Sequence, residues 1–387
     1  MDPNVLNILI APNAFKHAVD AEAAALAIKK GFEESDLDCI CQCFPIADGG
    51  DGTGSLIIKQ CVGEIVTVTV QDPLGRNIDA SFGVIDGGET AVIEMASASG
   101  IRLLKPEELS PLRVTSFGTG QLMIAALDRG VKRIILAMGG SATVDGGAGI
   151  LSALGVQFLN NEGRELPGTP ETMATLAEIN TSHLDERILN CEVTILCDVD
   201  NLLLGPQGSA AVFGPQKGAS ETNVHQLEMA LTQFSMIAFQ HTGMDMASVK
   251  HGGTAGGAAA GLNCFINARL ANGIDTFLAL TNFNAVLKNA DVVVTGEGSI
   301  DEQTLQGKGP FGVAKQAKLK GLPVIGMAGR VPLKPSAQML KYFDILLSIN
   351  DQDTDLQTAL ANTTDNLTGT ATSIGNMLKS NPNSILK

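Results

Sequence analysis

The stretch Arg133–Gly149, RIILAMGGSATVDGGAG, carries the fold in miniature. Its apolar start, IILAM, shows no polar alternation, which is the pattern of a parallel strand buried on both faces. The run then breaks into a loop where Gly139, Gly140, Gly146 and Gly147 surround one charge, Asp145. Glycine costs about 0.5–1 kcal/mol relative to alanine in backbone entropy, so four in nine residues imply positive φ angles or close approach to a ligand. Taken alone, the stretch reads equally well as a Gly-rich turn with Asp145 capping the next helix.

The same change of texture recurs along the chain. LNILIAP is followed by NAFK, CICQCFPI by ADGGDGT, EVTIL by CDVDN, DVVV by TGEGSIDEQT and PVIGM by AGR. Between them lie helical patterns such as AEAAALAIKKGF, so the chain predicts an α/β architecture with buried parallel strands. In such sheets ligands bind beyond the carboxyl ends of the strands, which is where these polar loops fall. Residues 64–95 alternate instead and predict antiparallel strands and hairpins. The strand runs gather at 6–46 and 291–348, as though one sheet were interrupted by an insertion. The resulting expectation is a Rossmann-like (flavodoxin-like) parallel-sheet domain, 1–63 and 286–387, with a second α/β domain inserted at 64–285 and the active site in the cleft between them. Leu356, Leu360, Leu367, Ile374 and Leu378, spaced by fours and sevens, predict one amphipathic helix closing the sheet domain.

Composition narrows the function. The 387 residues are 44% hydrophobic, enough for full cores, and carry a net charge of −15 with no basic stripe. Nucleic acid and anionic membranes are therefore poor partners. No stretch is long and apolar enough to span a bilayer, and MDPNVLNILIAPN reads as a first strand, not a leader. An odd count of seven cysteines fits reduced thiols and a cytoplasmic location. Cys39, Cys41 and Cys43 share one face of a strand, but successive ones stand roughly 7 Å apart. They read as small buried hydrophobes in preference to a metal site.

Gly-rich turns before helices aim backbone N–H groups at phosphates. Such turns stand at 47–55, 139–147, 251–261 and 295–312, whereas GxxxxGK[ST] and a complete GxGxxG after a strand are both missing. Phosphoryl transfer also needs cations for the developing charge, carboxylates for Mg²⁺ and an acceptor for the hydroxyl proton. Lys16, Asp48, Asp51, Asp145, Asp198, Asp200, Glu297, Asp301 and Lys308 follow the predicted strands within about a dozen residues, where one cleft could collect them. Each acid taken singly fits a cap or a solvated turn as well. Lys217 and the five histidines give weaker signals.

The ordered motifs PNAFK, PIADGGDGT, GGSATVDGGAG, CDVDN, FGPQKGA, AGG and TGEGSIDEQTLQGKGPFGVA resemble the signature of the type I glycerate kinases across about the whole chain. The resemblance implies a two-domain α/β fold, Mg-ATP as cosubstrate, D-glycerate as substrate and 2-phosphoglycerate as the usual product. It covers Lys16, Asp48, Gly49, Gly50, Ser141, Asp145, Asp198, Asp200, Lys217, Glu297, Asp301 and Lys308. On that basis Lys16, Asp48, Asp145, Asp198 and Asp301 are candidates for catalysis. Asp198 or Asp301 would hold Mg²⁺, and Asp48 or Asp145 would be the base. Gly49, Gly50, Ser141, Gly256, Gly257, Glu297 and Lys308 are candidates for binding the nucleotide.

Asn13, His17-Ala18, Ala259 and Ser299 depart from the family pattern, which has Asp, Gly-Ser or Gly-Thr, Gly and Arg there. The first and last would compensate one another if they touched. These departures leave a second reading, a non-catalytic sensor of a sugar acid or nucleotide. A dehydrogenase is disfavoured by the missing GxGxxG.

Overall fold

The computed structural model describes residues 5–351 and 354–381. Its strands, in chain order, are β1 (Leu6–Ile10), β2 (Cys39–Cys43), β3 (Glu64–Gln71), β4 (Asn77–Ile85), β5 (Thr90–Glu94), β6 (Arg133–Ala137), β7 (Gln157–Asn160), β8 (Leu176–Asn180), β9 (Glu192–Cys197), β10 (Arg269–Asn272), β11 (Val292–Ser299), β12 (Val324–Arg330) and β13 (Ile345–Ser348). The chain divides into two compact units, one formed by the residues up to Asp48 and from Ile274, the other by Gly49–Gly273.

The first unit is a five-stranded sheet in the order β2-β1-β11-β12-β13, every pair parallel. Counted within the unit this is 2-1-3-4-5, the flavodoxin order, whose direction reverses between β1 and β11. Val292, Val293 and Val294 of β11 are wholly buried, as an unalternating apolar strand between two helical layers must be. Helix Ala21–Glu33 is started by Asp20, whose side chain accepts from the Ala23 N–H. It crosses helix Thr363–Ser380 closely at Gly31, where any Cβ would collide with the Thr368 carbonyl oxygen. Leu367, Ala371, Ile374 and Leu378 are buried with Ile28 and Phe32 in the core beneath this crossing. The single closing helix expected from the leucine spacing is two, Leu356–Ala361 and Thr363–Ser380, broken at Asn362. Leu356 accordingly stands exposed. Cys39, Cys41 and Cys43 do share the core-facing side of edge strand β2, but they are half-buried, not buried.

The second unit is a six-stranded sheet, β10-β9-β6-β5-β4-β3. The pairs from β10 to β5 are parallel, and β4 and β3 continue antiparallel through the alternating segment. A separate antiparallel pair joins β7 to β8.

The unit borders fall at 48/49 and 273/274, against the expected 63/64 and 285/286. The physical reason is packing. Helix Thr53–Gln60 belongs with the second sheet because Ile58 fills the space above Gly83 of β4, where a Cβ would overlap its side chain. At the other border, Ile274 fits against Gly312 and Phe283 stacks edge-on with Phe44 at 5.2 Å, so residues from 274 onward join the first unit.

Candidate active site

In the first unit the loops after β1, β2 and β11 meet at the carboxyl edge of the sheet, where the strand order reverses. The Asn13 N–H donates to the Gly296 carbonyl at 2.8 Å, and that of Ile46 to Pro12 O at 3.0 Å, which fixes the three loops together. Asp48 Oδ2 accepts from Asn13 Nδ2 at 3.0 Å and from the Gly309 N–H at 3.3 Å. Gly309 opens helix Gly309–Leu319, and its lack of a side chain lets Asn13 and Ile46 close on that helix start. Lys308 is the N-cap residue of the same helix.

Glu297, in β11, is 7% exposed, and its Oε1 accepts from Thr304 Oγ1 at 3.2 Å. Burial, reinforced by the charge of Asp48, pushes this carboxyl up to about 7, against the opposing pull of Lys308, Thr304 and Lys16. Asp301 is half-exposed, accepting from the Gln303 N–H at 2.9 Å and facing Ser299 Oγ at 3.5 Å. Lys16 is exposed in the loop after β1. This unit thus gathers Lys16, Asp48, Glu297 and Lys308 around one charged centre, with Asp301 on the adjoining loop. Asn13 and Ser299 do not pair as expected. Their loops run side by side, but each side chain goes to a different aspartate, Asp48 or Asp301.

The second unit arranges its motif residues differently. Gly140, Gly146 and Gly147 have φ of 71°, 65° and 79°, so the glycine cluster serves a left-handed loop. Asp145 is buried inside it. Its Oδ2 accepts from Ser116 N, Ser116 Oγ and Gly149 N, and its Oδ1 from Gly147 N. One carboxylate therefore ties down the first turns of helices Phe117–Asp128 and Ala148–Ala153. Burial pushes this carboxyl above its ordinary value while the four donors pull it back. Lys217 is also buried, donating to Ser141 Oγ at 2.9 Å and to Thr143 O at 2.7 Å. Burial brings it down to about 7, partly offset by Asp145.

Gly256 and Gly257 sit where these loops stack. The Gly146 N–H donates to Gly256 O at 2.9 Å, and a Cβ at Gly257 would press on Leu203. The Gly49 N–H meets Thr53 Oγ1, and Gly50 O accepts from that hydroxyl, at 3.1 and 2.7 Å, in the turn entering helix Thr53–Gln60. Asp198 is exposed after β9, and Asp200 faces His251 Nδ1 at 3.0 Å.

A cavity of about 330 Å³ in this unit is lined by Asp51, Glu94, Ser97, Gly100, Arg102 and Gly140. Asp51 and Arg102 form an ion pair of 2.7 Å across it. Sequence reasoning passed over Glu94 and Arg102. Glu94 had a signal, as an acid at the carboxyl end of the apolar run TAVIE. Among the described residues no group of three or more His, Cys, Asp or Glu is placed to hold a metal, and no helix is long and apolar enough to cross a membrane.

Residues 8–379 match the model of the glycerate kinase family. The chain is 40% identical over 374 residues to a glycerate kinase of Bacillus subtilis, covering 97% of this chain and 98% of that one. It is 41% identical over 324 residues to the glycerate 2-kinase of Escherichia coli, covering 84% and 85%. The crystal structure of a Salmonella typhimurium LT2 protein, provisionally described as glycerate kinase 2, superposes with a TM-score of 0.81 at 39% identity, over 98% of this chain and 100% of that one. The chain belongs to the glycerate kinase family.

Proposed function

We propose that this protein transfers the γ-phosphoryl group of ATP to a hydroxyl of D-glycerate, giving 2-phosphoglycerate. The observation that carries the reading is the first unit's cluster of Lys16, Asp48, Glu297 and Lys308 at the point of strand reversal, where open α/β sheets take their ligands. Phosphoryl transfer asks the protein mainly for positioning and charge stabilisation, and this cluster has the parts. Lys16 and Lys308 offset charge on the transferring group. Asp48 and Glu297 supply the anionic side on which the hydroxyl proton is handled. In the second unit, the roles we assign to Asp145, Ser141, Lys217, Gly49, Gly50, Gly256 and Gly257 are to hold the loops rigid, since their polar atoms or backbone are engaged by neighbours within the unit.

Mg²⁺ would enter with the nucleotide phosphates, because it prefers one or two carboxylates plus phosphate and water to an all-protein cage. Asp301 fits such an ion: it is half-exposed, has hard oxygen donors and accepts few internal hydrogen bonds. Exposed Asp198 is the second candidate ligand. The ion would neutralise phosphate charge, and the reaction would take place in the cytoplasm.

The test is ADP release coupled to D-glycerate, with the product assigned by ³¹P NMR. The reading expects turnover that stops on addition of EDTA. ADP release independent of glycerate, or binding without turnover as in a sensor, would sink it.

A further inference from the structure

Two carboxylates meet at the reversal point, and they are not equivalent. Asp48 is half-buried and holds two donors on a single oxygen, one an amide side chain and one a helix-opening N–H. The amide belongs to Asn13, the position where the family pattern has an acid. An ionised aspartate there would bring Asp48 no N–H donor. Asparagine instead donates its amide N–H to Asp48.

Glu297 is the more deeply buried of the two and has the poorer solvation. Among the described residues Thr304 is its one donor, through Oε1. The Asp301 N–H donates to Thr304 Oγ1 at 3.1 Å, and the threonine hydroxyl has Glu297 Oε1 at 3.2 Å as its nearer acceptor and Ser299 O at 3.5 Å as the farther one. Oε2 takes no hydrogen bond from the described residues. Across the sheet Glu297 lies in register with Ala328, which brings no charge. The charged groups that act on it are Asp48, which favours the protonated form, and Lys308 and Lys16, which favour the carboxylate. A buried carboxyl with one donor, an anionic neighbour and a free oxygen is built to exchange a proton, not to hold a loop.

Resting on the kinase reading above, we propose that Glu297 is the group that accepts the proton of the glycerate hydroxyl, with Asp48 as its acidic neighbour and Asn13 as the residue whose amide holds Asp48 in place. In the step, the hydroxyl proton passes to Glu297 Oε2 and the hydroxyl oxygen bonds to the γ-phosphorus. The bond from that phosphorus to the β–γ bridging oxygen breaks, its electron pair leaving with ADP. Glu297 then returns its proton to water. Thr304 is a positioning residue that fixes the carboxyl plane.

The experiment combines Glu297→Gln kinetics with a ¹³C carboxyl titration of the free protein, the Glu297 signal being the one lost in that variant. The expected results are a fall in kcat of at least about a hundredfold with KM for ATP within threefold, and a wild-type Glu297 signal that titrates near neutral pH. Asp48→Asn should move that titration to lower pH, because a negative neighbour is removed. A Glu297→Gln enzyme within tenfold of wild-type kcat overturns the proposal. So does a Glu297 signal titrating in the ordinary carboxylate range, or one that Asp48→Asn leaves in place. If Glu297→Gln fails to fold, the Glu297 signal is assigned as the glutamate resonance lost in Glu297→Asp, and its titration then decides. Absence of wild-type turnover with D-glycerate overturns the kinase reading and this inference together. Normal wild-type turnover with an active Glu297→Gln overturns this inference alone.

Discussion

Asp145, in the loop after β6, and Glu297, near the carboxyl end of β11, are both buried acids beside glycines, one in each unit, and their surroundings are opposite. Four N–H and O–H donors saturate Asp145, so its lone pairs are committed to two helix starts. Glu297 has one donor and an anion for a neighbour. Burial alone does not mark a chemical group. What separates a structural carboxylate from a proton carrier is the number of donors that would be stranded if a proton arrived.

The largest effect should follow from emptying the saturated site. Asp145→Ala strands the Ser116 N–H and hydroxyl and the N–H groups of Gly147 and Gly149. Each buried orphan costs about 1–3 kcal/mol, so we expect a loss of about 4 kcal/mol or more in urea unfolding. A loss under about 1 kcal/mol would erase the contrast.

The unsaturated site should respond the other way, and with a pH signature. The Glu297 carboxyl, lifted from 4.5 to about 7, is protonated in the folded protein across a window where the unfolded chain has released its proton. Folded stability therefore falls as pH rises through that window, and the full penalty is present above it. Glu297→Gln removes the titration. The variant should match wild type near pH 4 and exceed it by about 3 kcal/mol near pH 8, at about 1.4 kcal/mol per pK unit. Parallel stability curves over pH 5–8 would show that Glu297 is not held protonated.

The smallest effect sits at the mouth of the first unit's site. His17 adopts φ 67° in the tight turn where Phe15 pairs back with Val19, and its side chain is exposed. The family pattern has glycine there. His17→Gly should stabilise by about 0.5–1 kcal/mol through relief of the left-handed strain, read as a shift in the urea midpoint. An unchanged midpoint would mean that the turn is unstrained.

The fold was largely legible because its evidence is local. LNILIA, DVVV and PVIGM are buried strands by their own composition, and the alternation over 64–95 declares β3 to β5 antiparallel. Packing choices were not legible. Nothing within Thr53–Gln60 says that Ile58 will lie over Gly83, so that border was set too late in the chain. The break at Asn362 interrupts a leucine spacing that continues through it. At the site, Lys16, Asp48, Glu297, Asp301 and Lys308 could be named from motif position. The saturation of Asp145 depends on Ser116, 29 residues away, and the raised proton affinity of Glu297 comes first from burial and then from Asp48. Residue type reveals neither partner.

The close crossing at Gly31 has a consequence for the order of events during synthesis. β1, β2 and helix Ala21–Glu33 emerge first, but their sheet neighbour β11 and the covering helix Thr363–Ser380 follow only after the whole of Gly49–Gly273. At about 5–20 residues per second, the early segment waits on the order of ten seconds or more for partners, while the inserted unit already has everything it needs to condense. Long-range pairing of this kind is slow to form even once both ends exist. The inserted unit is thus the first to become native, and the first unit closes last, around a glycine that lets its earliest and latest helices touch.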